Sequence, residues 1–304
     1  MFAVIKHLRK MYDATNGVRE FDLEIAKGEF ITLLGPSGCG KTTVLRMLGG
    51  FLTPDRGQIL LDGKDITPLA PEERPVSTVF QNYSLFSHLS VLDNVAFGLI
   101  HAKKQKKLQA RELSLPFVEL VGLSGYEHTP VTKLSGGQMQ RVAIARSLAI
   151  EPDLLLMDEP FSNLDAALRT RLRKDLKLLQ KKLKMTLIFV THDQEEALSL
   201  SDRIVVMDQG EIRQIGSPKD VYYEPQNDFV RDFFGGIEAQ FSVRSEELEL
   251  VRGGDWVIRN GMFYGSFTEY DLERNGETVR VTVFGKHDEF HTGEQADIRP
   301  IETS

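Results

Sequence analysis

Glu29-Phe30-Ile31-Thr32-Leu33-Leu34-Gly35-Pro36-Ser37-Gly38-Cys39-Gly40-Lys41-Thr42-Thr43-Val44-Leu45-Arg46-Met47-Leu48 is the stretch whose reading decides the fold. Glu29–Leu34 reads as a short apolar strand, and Lys41 to Leu48 as a helix. The turn between them, Gly35-Pro36-Ser37-Gly38-Cys39-Gly40-Lys41-Thr42, fits the P-loop pattern. Its glycines allow successive backbone N–H groups to turn inward on a phosphate, and the helix N-terminus adds the positive end of its dipole. Lys41 is placed to reach the β- and γ-phosphates, and the Thr42 hydroxyl to ligate Mg²⁺, with Thr43 next along the same helix. A glycine-rich turn can exist without a ligand. Here strand, lysine and hydroxyl all occupy the positions that the chemistry needs.

A phosphate-cleaving site also requires an acid for the metal and a group that handles water. Leu154-Leu155-Leu156-Met157-Asp158-Glu159 ends a buried strand on two acids, at the kind of sheet edge where open α/β folds bind ligands. Asp158 is the candidate direct or indirect Mg²⁺ partner. Glu159 points elsewhere because strand side chains alternate, and it is the candidate general base. His192 closes the next apolar strand, Leu187–Thr191. A histidine at a strand end is commonly a surface residue, but this one is expected on the same edge as Asp158 and Lys41, and so at the γ-phosphate.

Outward from this core, short apolar runs alternate with amphipathic stretches as far as Gly235, which predicts an α/β domain over residues 1–235 with a mostly parallel sheet. A long helix carries Leu168, Leu172, Leu176, Leu179 and Leu183 at helical spacing. From about Gln240 the texture changes. Val257–Tyr264, Thr268–Glu273 and Thr278–Phe284 read as strands, with Asn275-Gly276 as a hairpin turn. Residues 236–304 are therefore expected to form a small all-β barrel, with Gly235-Gly236 as the hinge.

The bulk properties narrow the function classes. The net charge of −7 gives no overall attraction to nucleic acid or anionic lipid. A lone cysteine, Cys39, excludes an intrachain disulfide framework and fits a reducing compartment. Charged residues interrupt Met1 to Lys10, so no secretory signal is expected there. No apolar run approaches the roughly 18–20 residues of a spanning helix, so the chain is not expected to cross a membrane by itself.

Leu134-Ser135-Gly136-Gly137-Gln138 opens a second helix on a serine and two glycines, and so offers a second terminus suited to phosphate. Two such termini suggest two ligands, or one ligand gripped by two copies of the chain. Together with Met139-Gln140-Arg141-Val142-Ala143, this segment resembles the signature of ABC-transporter ATPases. The P-loop, Gln81 within Val79-Phe80-Gln81-Asn82, Asp158-Glu159, Ser162-Asn163-Leu164-Asp165 and His192 follow in that family's order, over roughly Val4 to Gly235.

The resemblance implies a P-loop ATPase domain with a helical subdomain, and ATP and Mg²⁺ as its ligands. It implies that Tyr12 stacks on adenine, and that Gln81 touches Mg²⁺ and the water and relays nucleotide state. Ser135, Gly136, Gly137 and Gln138 would grip the ATP of an opposite protomer, with Asp165 at the dimer interface. Glu159 would polarise water and His192 would hold the γ-phosphate. Asn163 stands where the family often has alanine. Cys39 reads either as a small residue that fits the loop or as a thiol activated by the helix terminus.

Tyr83-Ser84-Leu85-Phe86-Ser87-His88-Leu89-Ser90-Val91 and Asp93-Asn94-Val95-Ala96-Phe97-Gly98-Leu99 resemble importer ATPases of the polyamine, ferric-iron and phosphonate group, related to the maltose type. Those carry small OB-like barrels at the C-terminus. The implied function is to power import of a small solute, polyamine first, with ferric iron, phosphonate, sulfate or sugar as alternatives and an exporter subunit as the other class. The implied partners are a second copy of the chain, integral-membrane permease subunits and, indirectly, an extracytoplasmic solute-binding protein. The implied location is the cytoplasmic face of the membrane, with no nucleic acid bound. Two basic stretches, Lys103-Lys104-Gln105-Lys106-Lys107 and the helix from Arg169 to Lys184, read as solvated faces or as contacts for lipid headgroups or nucleic acid.

Overall fold

Uninterrupted apolar runs give this chain its central strands, because a strand covered on both faces needs no polar alternation. A computed structural model describes residues 1–235, 241, 243–286 and 289–301, and it parts into two compact units, Met1–Gln226 and Asn227–Ser304. The strands of the first unit are β1 (Ala3–Met11), β2 (Gly17–Ile25), β3 (Phe30–Leu34), β4 (Arg56–Leu61), β5 (Lys64–Asp65), β6 (Val76–Val79), β7 (Leu154–Asp158), β8 (Thr186–Thr191), β9 (Arg203–Asp208) and β10 (Glu211–Gly216). Its helices are α1 (Lys41–Leu48), α2 (Val91–His101), α3 (Lys107–Leu120), α4 (Gly136–Ala149), α5 (Ala166–Leu183), α6 (Gln194–Leu200) and α7 (Pro218–Tyr223).

The sheet order is β5-β4-β1-β2-β10-β9-β3-β8-β7-β6. Strands β9, β3, β8, β7 and β6 run parallel. The side-chain period of two divides their residues between two cores. Phe30, Leu155, Met157, Leu187 and Phe189 pack with α2, α3, α4 and α5. Ile31, Leu33, Leu154, Leu156, Ile188 and Val190 pack with α1 on the other face.

Sequence patterning did not indicate the arm β5-β4-β1-β2, in which every pairing is antiparallel. In β2, buried Val18, Phe21, Leu23 and Ile25 are separated by exposed charged residues, the pattern of a strand with one wet face. A reading tuned to continuous apolar runs passes over it.

The second unit contains α8 (Asp228–Phe233), β11 (Leu248–Phe263), β12 (Phe267–Arg274), β13 (Glu277–Phe284) and β14 (Gln295–Pro300). Its antiparallel sheet has the order β13-β12-β11-β14, and among the described residues β13 and β14 do not pair, so it is a half-barrel. Asn275 (φ +52°) and Gly276 (φ +84°) make the β12–β13 turn, both left-handed as a tight hairpin requires. Strand β11 begins earlier than the expected Val257 because Gly253 and Gly254 break its patterning without ending it. Gly236 of the expected hinge, and 236–240, where the barrel was expected to begin, lie outside the described residues.

Phe189 joins sheet to site. Its ring lies 5.8 Å from Phe30 and 5.5 Å from Phe161, two residues past Glu159. Phe189→Ala is expected to destabilise the first unit by about 3–5 kcal/mol, as a lowered urea midpoint with an unchanged denaturant slope. A shift below about 1 kcal/mol would show that this core collapses to refill the cavity.

Candidate functional site

The turn from Gly35 to Gly40 is the backbone of the site. Gly35 has φ +152°, and a Cβ there would sit 2.1 Å from the Met207 carbonyl oxygen. Gly40, at φ +105°, caps α1 in a conformation that L side chains rarely adopt. Lys41 is 5% exposed, and its Nζ donates to the carbonyls of Gly35 (2.7 Å) and Pro36 (2.8 Å). Among the described residues no carboxylate pairs with this ammonium. A buried cation held only by dipoles favours an incoming anion.

The Thr42 hydroxyl donates to Asp158 Oδ1 at 3.2 Å, joining the start of α1 to the end of β7. Burial pushes the Asp158 carboxyl above its usual range; the Thr42 hydrogen bond opposes the shift, and neighbouring Glu159 reinforces it. These are hard oxygen donors, the set that Mg²⁺ takes from a protein while phosphates and water complete its octahedron.

Glu159 stands at φ +43°, unusual for a side chain of its size and costly by about 1–2 kcal/mol. Its N–H donates to Val190 O (3.0 Å), and its Oε1 lies 3.2 Å from His192 Nδ1. The kink turns the carboxylate into a cleft of about 340 Å³, lined also by Tyr12, Lys41, Thr42 and Thr43. Tyr12 is exposed, its hydroxyl 3.5 Å from Thr43 Oγ1.

Gln81 connects through a second chain. Its Nε2 donates to Ser162 Oγ (3.1 Å), and that hydroxyl donates to the Glu159 carbonyl (2.9 Å). Asn163 Nδ2 donates to Gln81 O (3.3 Å), so the asparagine has a local role. Beyond Gln81, Tyr83 and Ser84 are left-handed, and Arg146 of α4 donates to both their carbonyls.

Ser135 caps α4 in a capping box with Gln138. A Cβ on Gly137 would lie 2.8 Å from Leu168, and one on Gly136 3.3 Å from Leu164, so these glycines let α4 approach the start of α5. Asp165 accepts from Leu168 N and caps α5. None of Ser135–Gln138 lines the cleft of Lys41, so one chain does not bring its two glycine-rich termini together.

Sequence reasoning missed Asn16 and Gly17, which line the cleft; the turn Asp13-Ala14-Thr15-Asn16-Gly17 was the available signal. It also missed a cage around His192. Thr191 donates to buried Glu196 (2.6 Å), Glu196 N donates to Asp193 (2.9 Å), and Arg169 reaches both Asp193 (3.4 Å) and the Leu164 carbonyl (3.2 Å). No local pattern marks such a set. Of the two readings of Cys39, burial favours the small residue that fits the loop over the activated thiol: burial pushes the thiol up, outweighing the nearby Lys41.

Residues 18–162 match a family model described as ABC transporter. The Fe(3+) ions import ATP-binding protein FbpC of Agrobacterium fabrum is 52% identical over 232 residues, 76% of this chain and 65% of that one. The spermidine/putrescine import ATP-binding protein PotA of Mesoplasma florum is 51% identical over 231 residues, 76% of this chain and 66% of that one. The chain thus spans slightly under two thirds of the length of these curated relatives. Among solved structures, the ATP-binding cassette MJ0796, a post-hydrolysis dimer bound to ADP and Pi, is similar with TM-score 0.62 and 29% identity, over 71% of this chain and 98% of that one.

The cage carries a pH signature. Burial raises the Glu196 carboxyl above its ordinary value, more than the Thr191 hydrogen bond and Arg169 lower it. The folded chain then keeps a proton that the unfolded chain has lost, so this residue's contribution to stability falls as pH rises from the ordinary glutamate value to the raised one. Glu196→Gln removes that dependence. The urea stability of the parent minus that of the variant should decline with rising pH and then level; a flat or rising difference would show an ionised Glu196.

Proposed function

The chain belongs to the ABC transporter family, and from that premise we propose that it is the ATP-hydrolysing subunit of an importer. The observation that carries the reading is the Lys41 ammonium, buried against the carbonyls of Gly35 and Pro36 and, among the described residues, without a carboxylate partner. An ATP phosphate tail answers that charge, since loop N–H groups, helix dipole and ammonium all favour one polyanion.

The residues divide the work by position. Tyr12 offers its ring to adenine, and Gly35, Pro36, Ser37, Gly38, Cys39 and Gly40 wrap the phosphates. Thr42, Asp158 and Gln81 would hold Mg²⁺, which when bound supplies positive charge to the phosphate oxygens. Glu159 takes the proton of the attacking water. His192, 3.2 Å from the Glu159 carboxylate, orients it and faces the terminal phosphate. Ser162 ties Gln81 to the Glu159 carbonyl, so movement at Gln81 reaches the base through two hydrogen bonds.

The second terminus, Ser135 to Gln138, acts in trans. Its separation from the cleft within one chain and the dimeric state of the similar cassette support a head-to-tail pair, with Asp165 beside the seam. ATP favours the closed pair by its differential affinity for that state. Membrane permease subunits are the partners to which Gln81 and the segment after it report. Among the described residues no helix is long and apolar enough to cross a membrane. The place proposed for the chain, from its likeness to import subunits, is peripheral, at the cytoplasmic face. Polyamine is the first solute to test. Ferric iron is the second, favoured by the 52% identity to a ferric-iron import subunit.

Glu159→Gln should keep ATP binding, lower phosphate release by about 10²–10⁴-fold, and form an ATP-dependent dimer detectable by light scattering. Unchanged hydrolysis would remove Glu159 from the role of base. Lys41→Ala should abolish nucleotide binding in the same assay.

A further inference from the structure

Helix α5 carries cations that the ATPase reading leaves unused, and one of them is buried. Arg173 is 7% exposed. Its Nη2 donates to Thr170 Oγ1 (3.3 Å) and lies 3.2 Å from Glu195, whose own side chain is 79% exposed. Its Nη1 is buried with no hydrogen-bond partner among the described residues. Arg74 shows how the same chain satisfies a buried guanidinium: it donates to the carbonyls of Leu69, Met47, Leu48 and Thr67. Leaving one donor of a buried guanidinium desolvated without an acceptor is costly, so its charge favours an added anion at the reachable edge, where Nη2 meets Thr170 and Glu195.

Arg173 lines a cavity of about 210 Å³ between α5 and α6, together with Thr170, Lys174, Lys177, Glu195 and Ser199. Three cations face one carboxylate there, and Glu195 points largely into solvent. Lys177 is engaged by Asp202 and the Leu200 carbonyl, whereas Lys174 is exposed. We propose that this cavity binds a phosphate-type oxyanion, either inorganic phosphate or the phosphomonoester of a lipid headgroup. The guanidinium supplies its charge and the Nη2 donor, the lysines supply point charges, and the hydroxyls of Thr170 and Ser199 supply further donors. The bound anion takes over from Glu195 as the partner of Arg173. Helix α6, on which Glu195 and Ser199 stand, starts two residues after His192. The site shares no residue with the Lys41 cleft and does not rest on the nucleotide reading.

The test uses the full chain. Inorganic phosphate is titrated calorimetrically with the P-loop either saturated with ADP and Mg²⁺ or disabled by Lys41→Ala. Vesicles of phosphatidylcholine, with and without phosphatidate, are co-sedimented in parallel. One saturable phosphate site per chain is expected. It should be lost in Arg173→Gln and weakened at least about tenfold in Lys174→Gln/Ser199→Ala, which is exposed and leaves the fold intact should the first variant misfold. Binding to phosphatidate vesicles alone, lost in the same variants, supports the site and assigns the headgroup. Absence of both, or binding equal in parent and variants, overturns the proposal. A chain that ignores ADP yet binds phosphate through Arg173 would sink the nucleotide reading and leave this one standing.

Discussion

The register of three parallel strands is the constraint on which the site depends. Leu34 pairs with Thr191 and Val190 with Asp158, so Gly35, His192 and Glu159 leave the sheet within one step of each other. A slip of one residue would exchange the two core faces and send Phe30 and Phe189 to the wrong side. The aromatic packing of Phe30, Phe161 and Phe189 therefore secures the site as well as the core. Stability and chemistry are coupled there through the same side chains.

Charge placement follows from that geometry. The site buries an ammonium that has no counter-ion among the described residues and an acid whose proton affinity is raised, and sets Glu159 in a left-handed conformation. Each feature costs stability; under the proposed function a polyanion would answer the ammonium and a hard cation the acid. The glycines serve two purposes. Gly35 avoids collision with the Met207 carbonyl, while Gly136 and Gly137 admit Leu164 and Leu168, so a phosphate-suited terminus doubles as a packing contact.

The linkage between parts runs through side chains that bridge loops. Arg146 ties α4 to the carbonyls after Gln81, and Arg169 ties the Leu164 carbonyl to Asp193 beside His192. Both are guanidiniums spanning two segments, a use for which a planar five-donor group suits better than an ammonium. The loops that would meet a second protomer are thereby mechanically joined to the loops around the cleft.

Much of this was legible in the residues themselves. The P-loop spacing, the acids ending an apolar strand, the His192 strand end, the helix from Lys41 to Leu48 and the Asn275-Gly276 hairpin all follow from local patterns that the structure carries. The antiparallel arm, with its one wet face, the early start of β11 and the cleft residues Asn16 and Gly17 were not, and of the two readings of Cys39 only burial could choose. By itself the sequence determined which groups could hold a phosphate and a metal, because loop and helix-terminus chemistry is encoded within a few neighbouring residues. Only the tertiary structure decided which acid is buried, which loops Gln81 and Arg169 bridge, and that Arg173 Nη1 has no acceptor among the described residues. Burial and pairing depend on residues brought together from distant parts of the chain, and no local pattern records them.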